Sequence, residues 1–169
     1  MKINQAADQL DRQGRAIITL TEGISVGEAR WKPDDESWSI LEVLNHLVDE
    51  EVLDFRCHLE HILYTPQQPW PEIDPQGWVK QKAYNQRSFE DSRMNFQTER
   101  ETSIIWLLQH NSANLDAAVN LDWGPLTAGD MLVSWLAHDL LHLRQLIELR
   151  YHLTSKISRP YKVLYAGEW

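Results

Sequence analysis

Two histidines stand four residues apart in the run His138-Asp-Leu-Leu-His142. On a helix this spacing puts both imidazoles on one face, one turn apart, where both can reach a single divalent ion. Trp135, His138, His142, Leu146 and Leu149 recur at steps of three and four, so the pair falls in an apolar seam. A third ligand is needed, and His46 is the candidate. It shares a helical strip with Val43, Glu50, Leu53 and Cys57, away from the main apolar stripe of its helix. Three neutral imidazoles leave a tetrahedral ion one position short, the pattern of catalytic rather than structural zinc. A water completing the shell would have its pKa drawn towards ~7, and a thiol would be deprotonated. The competing reading is a set of core or half-buried histidines bonded to backbone or to each other, with His46 a surface or capping residue.

Other polar groups lie within reach of that constellation. Glu50, one turn beyond His46, can serve as general base or as an acceptor behind the ligands; the alternative is a solvated surface glutamate. Gln145, one turn past His142, can orient a ligand. Asp139 points about 100° from His138 and suits a contact with a neighbouring helix. Arg100 can meet an anionic substrate or pair with Glu50. Cys57 reads as a small buried residue. His58, His61, His110 and His152 read as surface residues.

Four helices must position these groups. The first spans roughly Ile3 to Gly23, weakened slightly by Gly14. The second follows a capping box, Ser39-Ile-Leu-Glu42, and ends near Tyr64 ahead of Pro66. A third begins near Ser88, with Asp91 as cap partner. The fourth starts at Thr127, with Asp130 three residues on, and runs to about Leu153. Between the second and third lies a long stretch, Thr65 to Arg87, with four prolines and a helical turn expected near Trp78 to Tyr84. Such a connection exceeds what antiparallel neighbours need and suits a crossover. The expected fold is all-α, a four-helix bundle with a long crossover between helices 2 and 3. Residues 1–169 read as one domain, with 154–169 a tail packing on the bundle.

The chain resembles the DinB superfamily over nearly its whole length. The resemblance rests on Trp31-Lys-Pro-Asp-Asp-Glu-Ser-Trp-Ser-Ile-Leu-Glu-Val-Leu-Asn-His46-Leu, and on the run from Gly124-Pro-Leu-Thr-Ala-Gly-Asp into Trp135-Leu-Ala-His138-Asp-Leu-Leu-His142-Leu-Arg-Gln145. It implies a bundle that is often dimeric, holding zinc or nickel through one histidine of the second helix and two of the fourth. Those positions match His46, His138 and His142. It also implies either a transferase using a low-molecular-weight thiol or a hydrolase, acting on a small molecule. A non-catalytic metal-binding or structural protein is the alternative.

Composition narrows the classes further. The net charge is −9 and no Lys/Arg cluster occurs, which argues against nucleic acid and against an anionic membrane surface. A single cysteine cannot form an internal disulfide. No apolar run approaches the ~18 residues of a membrane span, and the start of the chain lacks the apolar core of a signal peptide. A cytoplasmic protein is expected, as a homodimer through helix faces.

Overall fold

The computed structural model describes residues 1–167. Four long helical units form a bundle: α1 (Ile3–Leu20), the pair α3 (Ile40–Asp49) and α4 (Arg56–Tyr64), α6 (Phe89–Gln109) and α7 (Ala128–Ile157). Two short helices, α2 (Val26–Arg30) and α5 (Pro75–Gln81), occupy the connections. Helix α1 packs on α6 and α7, and α3 packs on the same two.

The helix starts are fixed locally. Ser39 Oγ accepts from the Glu42 amide at 3.1 Å while Glu42 Oε2 accepts from the Ser39 amide at 2.8 Å. Thr127 and Asp130 do the same for α7, and Ser88 caps α6. Each cap satisfies donors that the first helical turn leaves without partners.

Three features depart from the sequence expectation. First, the second helix is not a continuous α-helix: Glu50–Phe55 is π-helical between α3 and α4. Second, α7 is preceded by a hairpin of β1 (Ala118–Leu121) and β2 (Gly124–Thr127), antiparallel with Val119 opposite Leu126. Four-residue strands, one of them carrying Pro125, are too short to show alternation in the sequence. Third, α7 runs to Ile157; beyond it Tyr161, Leu164 and Tyr165 are exposed, while Tyr151 Oη on α7 donates to the Gly167 carbonyl at 3.2 Å. Positions 168 and 169 of that expected tail lie outside the described residues.

The core falls into two apolar clusters. One gathers Leu10, Leu59, Ile62, Leu107 and Trp135. The other gathers Ile17, Leu41, Leu44, Phe96 and Leu149. A polar layer lies between them. Arg100 donates to Asp139 at 2.7 and 3.0 Å, to the Leu10 carbonyl at 2.7 Å, and to Glu51. Ser103 Oγ donates to Glu51 Oε2 at 2.6 Å. All of these side chains are buried. Arg100 therefore pairs with Glu51 and Asp139, not with Glu50. Gly14 belongs to this layer: a Cβ there would stand 3.0 Å from Arg100 Cγ. The glycine costs α1 about 1 kcal/mol of helix propensity and in return lets the arginine cross the helix.

Candidate metal centre

At the level of the polar layer, on the other side of the same helices, three histidines converge. His46 comes from α3 and His138 and His142 from α7. His46 Nε2 lies 3.3 Å from His138 Nε2, which lies 3.1 Å from His142 Nε2. Ligands at ~2.0–2.1 Å around a tetrahedral ion are roughly 3.3 Å from one another. Those two separations match what a shared ion requires, and a ligand atom from each of the three rings lies within 4.8 Å of the others. They are the one group of three or more ligand-type side chains that could hold a metal among the described residues.

The electrostatics suit ligation. Burial pushes the His46 imidazole pKa down to about 2, helped by its neighbours His142 and His138. Burial, with His142 beside it, takes His138 down to about 3. His142 is lowered by burial as well. All three are therefore neutral, the form that binds metals. Gln145 Oε1 accepts from His142 Nδ1–H at 2.8 Å, which fixes the tautomer that leaves the Nε2 lone pair towards the other rings. Aromatic walls hold the remaining rings: Trp38 lies 4.7 Å from His46 and Phe55 lies 5.0 Å from His138, between centroids.

Glu50 follows at the start of the π-helical segment and is buried. Its Oε1 is 3.8 Å from His46 Nδ1 and its Oε2 is 3.8 Å from His138 Nε2. Burial and the neighbouring Asp54 push its pKa up to about 9. Glu50 and Glu51 are consecutive, as are His138 and Asp139. One member of each pair faces the histidines and the other faces Arg100. The buried ionic layer and the histidine cluster are thus built from adjacent residues.

The histidines lie in a cleft of about 530 Å³, with Trp38, Glu50, Gln76, Gln145 and Glu148 among its lining. Cys57 is half-buried and takes no part. His58 and His61, expected at the surface, are buried instead. His58 sits between Asp54 (Nδ1 to Oδ1, 2.6 Å) and the Pro71 carbonyl (Nε2 to O, 2.9 Å), with its ring stacked 4.1 Å from that of Trp70. The signal that could have placed it was the four-residue ladder Glu50, Asp54, His58 along one helix face. Trp38, which walls the cleft, carries no spacing signal because it precedes its helix.

Comparison with known proteins gives the fold a lineage. No curated protein matches the sequence. Among solved structures, one similar fold is that of YfiT from Bacillus subtilis, described as "a probable metal-dependent hydrolase with an unusual four-helix bundle topology". The two share 14% sequence identity with a TM-score of 0.76, over 89% of this chain and 87% of that one. A sequence profile for the DinB superfamily matches residues 9–146, from α1 through the histidine pair of α7. By that match over most of its length, the chain belongs to the DinB superfamily.

Proposed function

We propose that the chain is a metal-dependent enzyme acting on a small molecule, most simply a hydrolase, with a zinc or nickel ion held by His46, His138 and His142. The observation carrying this reading is the convergence of three neutral Nε2 atoms, 3.3 and 3.1 Å apart, in an open cleft. The description of YfiT as a probable metal-dependent hydrolase is consistent with it. When bound, a divalent ion supplies Lewis acidity, drawing the pKa of water or a thiol towards neutrality and polarising a substrate carbonyl.

The chain's own residues supply the rest. Gln145 holds the His142 tautomer. Trp38 and Phe55 fix the rings beside them. Glu50, with Oε2 3.8 Å from His138 Nε2, is placed to take a proton from a nucleophile in the cleft and pass it to the leaving group once a cation on the histidines draws its raised pKa back down. Transfer to a low-molecular-weight thiol is the same chemistry with sulfur in place of water. We read the working form as a cytoplasmic homodimer, with its lone half-buried cysteine outside the chemistry.

Metal analysis tests the core of this proposal. Wild-type protein should carry one ion per chain, and His138→Ala should lose it. Hydrolysis of p-nitrophenyl acetate should vanish on chelation and return with zinc or nickel. Dependence on an added thiol would move the assignment from hydrolase to transferase. Undiminished metal in His138→Ala would overturn the site, and a metal-loaded protein inert with and without thiol would leave a binding module.

A further inference from the structure

The cleft over the histidines has a marked charge character. Four carboxylate residues line it: Asp34, Glu36, Glu50 and Glu148. Among its described lining residues there is no lysine or arginine. Lys156 and Arg159 lie past His152 in an adjoining groove, with Lys156 Nζ 4.6 Å from the Trp31 ring centroid, and Arg100 is held by Glu51 and Asp139. Lys32 is engaged by Glu42 at 2.8 Å.

The carboxylates differ in depth. Asp34 Oδ1 accepts from the Glu36 and Ser37 amides at 3.0 and 2.7 Å, and the bonds from Ser37 hold its carboxyl below the usual range. Glu148 stands 3.9 Å from His152, too far for a hydrogen bond. At the floor, Glu50 is only 3% exposed, yet its Oε1 accepts no hydrogen bond. That oxygen is fully buried and faces His46 Nδ1 at 3.8 Å, so Glu50 belongs to the histidine centre and the other three carboxylates set the charge of the cleft above it. Trp38 adds an indole to the same lining, a surface that attracts cations. Even with a divalent ion on the histidines, the carboxylates outside Glu50 number three and exceed its charge.

We propose that this cleft selects small molecules bearing a protonated amine, held by Asp34, Glu36 and Glu148 while the reacting end reaches the histidines, and that it discriminates against phosphorylated or carboxylate-bearing substrates. The proposal rests on the metal-centre reading and extends it to a substrate class. It also narrows any thiol cosubstrate to a neutral or cationic one, because an anionic thiol would meet the same carboxylates.

Three probes of equal length and different charge separate the possibilities: hexanohydroxamic acid, 6-aminohexanohydroxamic acid and the monohydroxamate of adipic acid. Binding to cobalt-loaded protein is read from the visible absorption of the ion, without turnover. The amino probe should bind at least about tenfold more tightly than the adipate probe, with the neutral probe between. The gap should shrink as salt rises from 20 to 500 mM. It should also fall to about threefold or less in the double variant Glu36→Gln, Glu148→Gln. Equal affinity for all three, or tighter binding of the adipate probe through Lys156 and Arg159, would overturn the substrate class and leave the metal site standing. A protein that gives no cobalt spectrum would overturn the metal reading, and the substrate class with it.

Discussion

Glu50 carries opposing demands. It is buried, which disfavours its charge, yet it stands within 4 Å of two imidazoles that converge on a cation site. A residue so placed is expected to move a proton rather than to stabilise the fold. Glu50→Gln should therefore keep its metal and lose ~100-fold or more in turnover; weakened metal with little loss of rate per bound ion would mark it as structural. His58 makes a second residue-level case. Both of its nitrogens face groups that only accept, the Asp54 carboxylate at 2.6 Å and the Pro71 carbonyl at 2.9 Å. Only an imidazolium can donate to both. Burial opposes the charge, but the bonds to Asp54 and Pro71 prevail and raise the pKa. The sign follows: a folded pKa above the unfolded ~6.5 gives stability that is full below that value and lost as pH rises through the folded one. Nitrogen NMR should find both ring nitrogens of His58 still protonated at a pH where exposed histidines have lost half their protons. Urea stability should decline as pH rises above ~6.5 in the wild type more than in His58→Gln, and equal declines would contradict the imidazolium.

At the scale of elements, the π-helical segment and the Arg100 layer explain how adjacent residues serve opposite sides of one helix. Arg100 holds Glu51 and Asp139, whose neighbours Glu50 and His138 face the cleft. Arg100→Met would leave two buried carboxylates without their cation, a loss on the order of 3–5 kcal/mol. If the layer also sets the site, zinc affinity of the folded variant should drop about tenfold or more; unchanged affinity would confine its role to the fold. Much of this was legible beforehand. The serine and threonine caps announced three helix starts, and the four-residue step of His138 and His142 announced their shared face. The π-helical segment was not legible, because nothing in Glu50–Phe55 breaks the α-periodicity in composition. Nor was the partner of Arg100, since helical geometry separates Glu50 from Glu51 by about 100° but does not say which of the two faces α6. His58 was misread because the four-residue ladder Glu50, Asp54, His58 that places it went unread, and its stacking partner Trp70 lies in the irregular connection.

For the whole molecule, the unspent apolar surface marks where a second copy would pack. A second strip of Val43 and Leu53 beside the main apolar stripe would put that surplus on the second helix, but Ile40, Leu41, Val43, Leu44 and Leu47 are all buried within the bundle. The exposed stripe is on α7 instead. Val133, Leu140 and Ile147 are 52%, 52% and 43% exposed, seven residues apart, with Ala137 and Arg144 between them. Steps of four and three alternating from Val133 to Ile147 are the spacing of a coiled-coil seam, ~21 Å long. A two-fold axis at Leu140 would run two copies of α7 antiparallel, with Val133 opposite Ile147 and the small Ala137 opposite the stem of Arg144. A parallel pairing would instead bring the two Arg144 side chains to one level, where like charges repel. The antiparallel seam also leaves His138 and His142 free, since they lie on the cleft side of the helix. The homodimer is therefore expected through α7. Light scattering at about 10 μM should give twice the chain mass for wild type and the single-chain mass for Leu140→Asp, because a charge at the axis meets its own copy. Bound metal should remain in that variant. A wild-type protein already monomeric, or a Leu140→Asp variant still dimeric, would show that this face of α7 is not the interface.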